Sequence, residues 1–174
     1  MSRCGSGDED PATMIKVKLS DLVFDENTQM GIMILEDERG RVLLIWIGIL
    51  EAQSILFKMQ NLYFPRPLTH DLMRNAFDEL GVRVRQAVIT AVRDNTFYAE
   101  LHLSRGDELF VVDCRPSDAV AVALRADAPI FVNEAVMDTS SMSREAFARQ
   151  QKEKLYRQLL EASADAEDDE KLKH

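Results

Sequence analysis

The chain has 174 residues, is 46% apolar and carries a formal net charge of −9. That is material for one well-buried core, without the basic excess a nucleic-acid coat protein draws on. Residues 15–142 hold thirteen basic and nineteen acidic side chains, so the body itself is acidic; this excludes a histone-like or processive coat, but not an acidic site that meets a phosphate through a metal.

Residues 1–13 are small, polar and charged, read as a disordered leader, and lack the apolar stretch of a secretory signal. Two cysteines, Cys4 and Cys114, fit neither a disulfide framework nor a metal knuckle, and no apolar run approaches the roughly 18 residues of a membrane helix. A cytoplasmic protein with no membrane association is expected.

Ile15–Leu19 alternates like a strand with one wet face. Gly31–Leu35 and Val42–Ile47 flank Glu38-Arg39-Gly40-Arg41 as a hairpin, and the unbroken apolar run of the second suggests a central strand buried on both faces, with Trp46 in the core. Leu50 to Tyr63 reads as a buried helix stopped by Pro65 and Pro67. A second helix starts with Thr69 as N-cap and Asp71 in its first turn; Leu72, Met73, Ala76, Phe77 and Leu80 form its apolar stripe and Gly81 its stop.

Val82–Val92, Thr96–Leu103 and Leu109–Cys114 read as a second antiparallel meander. A short Ala/Val-rich helix over Pro116–Arg125 and a strand over Pro129–Val132 follow. Residues 137–162 are expected to be a linker and an amphipathic helix capped by Ser143, with Phe147, Leu155, Leu159 and Leu160 on the stripe that docks on the domain or on another subunit; a homo-oligomer is therefore expected. Residues 163–174 form an acidic, solvated tail.

One pattern occurs twice. Val42–Ile47 leads through a turn to Glu51-Ala52, and Leu109–Cys114 leads through Arg115-Pro116-Ser117 to Asp118-Ala119; a shift of 67 positions superposes Glu51 on Asp118. The expected fold class is α+β: a single domain, residues 14–136, of two repeated antiparallel meander-plus-helix units, followed by a C-terminal helix.

Four motifs, Ile45-Trp46-Ile47-Gly48, Arg66-Pro67-Leu68-Thr69-His70-Asp71, Asn95-Thr96-Phe97-Tyr98-Ala99 and Asp113-Cys114-Arg115-Pro116-Ser117-Asp118-Ala119, occur in an order and spacing that resembles the bifunctional nuclease domain family, over about Met14 to Val136. The resemblance implies a compact α+β domain of repeated units and a nuclease acting on both RNA and DNA with low sequence specificity. The plant members carry an extra domain that the tail of this chain does not resemble.

The residues themselves offer two Arg-Pro turns, Arg66-Pro67 into Thr69-His70-Asp71 and Arg115-Pro116 into Ser117-Asp118, each with a guanidinium, a hydroxyl at a helix start and a carboxylate. Phosphodiester cleavage needs a nucleophile, charge neutralisation at the phosphoryl oxygens and a proton for the leaving oxygen. His70, Asp71 and Asp118 are the expected catalytic groups; Arg66, Arg115, Ser117 and Thr69 are the expected phosphate ligands, and Asp71, Asp118 and Glu51 the expected ligands of a Mg2+ or Mn2+ ion. The same residues also fit ordinary caps, first-turn acids and ion-pair partners, and a non-enzymatic module that binds a phosphorylated ligand or a protein. Cys114, at a strand end with no neighbouring histidine, reads as an inert thiol, and of Phe97 and Tyr98 at most one can stack on a base because neighbours on a strand face opposite ways.

Overall fold

The computed structural model describes residues 14–25, 28–153 and 156. The chain divides into two compact units, Met1–Ser141 and Met142–His174. In the first, strands β1 (Met14–Asp25), β2 (Met30–Asp37) and β3 (Arg41–Gly48) lead into helices α1 (Ile49–Met59) and α2 (Thr69–Glu79). Strands β4 (Arg83–Arg93), β5 (Thr96–Arg105) and β6 (Glu108–Cys114) lead into α3 (Pro116–Arg125), β7 (Ile130–Asn133) and α4 (Glu134–Ser140). A short strand β8 (Ser141–Ser143) spans the boundary between the units.

The architecture is α+β with an eight-stranded sheet, ordered β6-β5-β4-β7-β1-β2-β3 within the first unit. Both β1-β2-β3 and β4-β5-β6 are antiparallel meanders, and β7 joins them, antiparallel to β1 and parallel to β4. One core holds Met33, Leu35, Leu43, Ile45 and Ile47 of the first meander, Ala87, Ile89, Ala99 and Leu101 of the second, and apolar residues of α1, α3 and α4. Helix α3 is buried along nearly its whole length because its sequence alternates Ala and Val; Ala119, Ala121 and Ala123 are 0% exposed. Small side chains let it lie against α1, α2 and the sheet at once.

Several expectations change. Strand β3 lies toward one end of the sheet, and Trp46 is 52% exposed, because β3 alternates between a core face and an outer face. Helix α1 stops at Met59, before the prolines: Asn61 takes the left-handed conformation (φ 52°), and the Leu62 N–H reaches the Phe57 carbonyl at 2.9 Å. Gly81 (φ 67°) ends α2 in the same way, as expected. The apolar stripe of α2 is largely in the open, with Leu72 60% and Leu80 67% exposed. The buried residue of that helix is His70, which ties α2 down through polar contacts. Helix α4 occupies part of the stretch read as linker; the Asn133 side chain accepts the Ala135 N–H at 2.9 Å and starts a helix too short to show a period.

In the second unit, Ser143 accepts the Ala146 N–H at 3.2 Å as the expected cap of a helix over residues 144–153. Leu155, Leu159 and Leu160 of its stripe lie outside the described residues, as do the leader and the tail. Among the described residues no helix is long and apolar enough to cross a membrane.

Candidate active site at the junction of three helices

Helices α1, α2 and α3 share one local device: each has an acid at its third position, Glu51, Asp71 and Asp118, where the unpaired N–H groups and the helix dipole favour negative charge. In α2 the N-cap is Leu68 rather than Thr69; its backbone N–H donates to Asp71 Oδ2 at 2.9 Å. In α3 the residue before the helix is Arg115, followed by Pro116, whose fixed φ suits the first helical position. In α1 the N-cap is Gly48, and a Cβ there would collide with the Glu51 carboxylate.

These acids are gathered by two arginines. Arg115 donates to Asp118 through Nε (2.7 Å) and Nη2 (3.1 Å), and the same Nη2 lies 3.0 Å from Glu51 Oε1. Arg125, buried at the end of α3, donates through Nε to Asp71, through Nη1 to the Ala121 carbonyl at 3.1 Å, and through Nη2 to both the carbonyl and the hydroxyl of Ser54 at 3.1 Å. Between them sits His70, 7% exposed, with Nδ1 2.8 Å from Ser54 Oγ and Nε2 3.2 Å from Asp118 Oδ1. A continuous polar chain therefore crosses α1, α2 and α3.

Burial pushes the Asp118 carboxyl up, but hydrogen bonds from Arg115 and His70 outweigh it and hold the group below its ordinary range. The same contest at Asp71, between burial and the donors of Arg125 and Leu68, has the same outcome. At Cys114 burial meets no such relief: together with the charges of Asp118, Asp113 and Glu100 it pushes the thiol up to about 11, in keeping with an inert cysteine.

A groove of about 810 Å3 opens over this chain, lined among others by Glu51, Ser54, Thr69, His70, Arg115 and Asp118. Of the residues expected at a site, Glu51, His70, Arg115 and Asp118 meet there. Thr69 is exposed at the rim. Asp71 faces Arg125 and lines a neighbouring hollow, and Ser117, 4% exposed, lines a separate cleft beside Trp46. Arg66 is exposed and is not among the groove's lining residues. Tyr98 is 41% exposed beneath Arg93, while Phe97 packs on the core, so the two do face opposite ways.

The three carboxylates do not fit a divalent ion as a set. Arg115 already bridges Glu51 and Asp118, Arg125 engages Asp71, and among the described residues no three His, Cys, Asp or Glu groups converge as metal ligands. Conversely, Ser54 and Arg125 join the site although nothing singled them out in the sequence. The available signal was polarity in the wrong place: a serine beside Ile55-Leu56-Phe57 and an arginine closing an Ala/Val helix.

The sequence profile described as Bifunctional nuclease domain matches residues 33–145. The chain belongs to the bifunctional nuclease domain family. An uncharacterized protein of Mycobacterium tuberculosis is 38% identical over 125 residues, which cover 71% of this chain and 74% of that protein. Bifunctional nuclease 2 of Arabidopsis thaliana is 36% identical over 107 residues, 59% of this chain and 32% of the plant protein. Bifunctional nuclease 1 of the same plant is 34% identical over 107 residues, again 59% of this chain and 33% of its own length. The segments Arg66–Asp71 and Asp113–Ala119 both lie inside the matched range, so the family's domain includes the groove and its polar chain.

Proposed function

We propose that this protein is a nuclease that hydrolyses phosphodiester bonds of RNA and DNA with low sequence specificity, and that the groove over His70 and Asp118 is its site. The observation that carries the reading is the His70–Asp118 couple (3.2 Å) facing the same groove as the exposed guanidinium of Arg115, in a chain whose family is named for nuclease activity. His70 supplies proton transfer. Asp118 holds the imidazole in one orientation, and Arg115 meets the phosphoryl oxygens when substrate exchanges with its carboxylate partners. Because Arg115 and Arg125 already engage the carboxylates, the chemistry proposed uses protein groups alone.

Two features favour the second reading, a binding module for a protein partner: the open apolar face of α2 and the exposed edge strand β6, where Leu109 is 76% and Val111 58% exposed.

The test is hydrolysis of end-labelled single-stranded RNA and DNA by highly purified protein in chelator, Mg2+ and Mn2+, with His70→Ala prepared identically. Cleavage of both substrates in chelator, lowered about 10²- to 10⁴-fold in the folded variant, is expected. Cleavage that appears only with added ion would contradict the metal-free chemistry, and no cleavage in any condition would favour the binding module.

A further inference from the structure

Both nitrogens of His70 are engaged inside the protein, so the first group the imidazole can activate is a neighbour. The polarity of the chain identifies that neighbour. Arg125 Nη2 has only protons to give, and it stands 3.1 Å from Ser54 Oγ. Ser54 Oγ therefore accepts there; at the other ring nitrogen the Asp118 carboxylate, an acceptor only, takes the Nε2 proton, so Nδ1 of the neutral imidazole accepts the Ser54 proton across 2.8 Å. That leaves the neutral imidazole with its proton on Nε2, facing the Asp118 carboxylate that Arg115 holds by two donors. The tautomer follows from the Asp118 carboxylate, which Arg115 holds in place. Ser54 is half-buried and lines the groove.

We propose that Ser54 Oγ is the nucleophile of this site. The inference rests on the nuclease reading for its substrate class, a phosphodiester. In the first step Ser54 Oγ bonds to phosphorus, the bond from phosphorus to the leaving oxygen breaks, and the Ser54 proton passes to His70 Nδ1 and on to that oxygen. The product is a phosphodiester between Ser54 and the retained strand. In the second step a water, deprotonated by His70, bonds to phosphorus; the bond to Oγ breaks, the proton returns to Ser54, and a phosphomonoester end leaves. Arg125 Nη2 stabilises charge on Oγ as its proton departs, and Arg115 stabilises charge on the phosphoryl oxygens. The imidazole is turned end for end relative to the familiar hydrolase triad, with the serine on Nδ1 and the carboxylate on Nε2, and the same division of roles holds.

The experiment treats the full chain with diisopropyl fluorophosphate, whose fluoride leaves as Oγ bonds to phosphorus, and reads the adduct by intact mass and peptide mapping. One adduct at Ser54 is expected, absent in Ser54→Ala and formed at least 100-fold more slowly in His70→Ala. In parallel, Ser54→Ala should lower kcat for single-stranded RNA at least 100-fold, with KM within about threefold, in a variant that remains folded. If the alanine variant fails to fold, Ser54→Cys replaces it, with alkylation at position 54, resolved by peptide mapping from that of Cys4 and Cys114, expected under denaturant-free conditions. Nuclease activity that survives in folded Ser54→Ala, with no adduct in the wild type, would overturn the nucleophile and leave the nuclease standing. An adduct at Ser54 in a protein that cleaves no nucleic acid would keep the nucleophile and remove the substrate class.

Discussion

Asp37, Asp71 and Asp118 are each held below the ordinary value of 3.8 by donors that outweigh burial: an arginine in every case, with backbone N–H groups at Asp37 and Asp71 and His70 at Asp118. Asp37, with its side chain 1% exposed, accepts the N–H groups of Arg39 and Arg41 at 2.9 and 2.8 Å and the Arg41 Nε at 2.7 Å. Because the folded chain binds these protons less readily than the unfolded one, the stability they contribute is complete above the unfolded value and is lost as pH falls through the lower folded values. Unfolding free energy from urea titrations is therefore expected to be level from about pH 7 to 5 and to decline below about pH 4, with a shallower decline in Asp37→Asn. A level profile down to about pH 2 would contradict this. The residue scale also shows what the sequence exposed and what it hid. Glu51 and Asp118 were legible as a pair, from their equivalent places after two similar strands, and they do meet, on Arg115. Ser54 and Arg125 were not, because they touch only across 71 positions of chain and each looks unremarkable in its own helix.

The starts of α1, α2 and α3, to within a residue, and strand order within each meander were readable from turn residues and apolar runs; the start of α4 and the burial pattern were not. Val42–Ile47 looked buried on both faces because apolar composition does not reveal which neighbour a strand has, and Trp46 lies in the open. The stripe of α2 follows the same lesson, since a helix anchored by a polar first turn leaves its apolar face free. At this scale the tightest constraint lies where α1 crosses β2. A Cβ on Gly31 would collide with the Ala52 Cβ and also press on Ile47 Cγ1 at 3.3 Å. Gly31→Ala is expected to cost about 1–3 kcal/mol, the usual penalty of overpacking a closed core. Thermal or urea unfolding that leaves the variant within about 0.3 kcal/mol of the wild type would show that α1 can move away freely.

The molecule as a whole carries a charge of −9, and the cationic group displayed in the groove is Arg115, its side chain 65% exposed, while Arg125 is buried. Under the proposed function the grip is on one or two phosphates, and binding of a labelled single strand by His70→Ala in chelator is expected to follow salt with a slope of only about −0.7 to −1.4 on logarithmic axes. A slope steeper than about −4 would reveal an extended basic track elsewhere. The central claim is that phosphodiester hydrolysis depends on the His70–Asp118 couple, and the most direct test is kcat for single-stranded RNA in chelator by Asp118→Asn beside the wild type. A loss of about 10²- to 10⁴-fold is predicted in a variant that remains folded; a folded variant that cleaves at the wild-type rate would contradict this role.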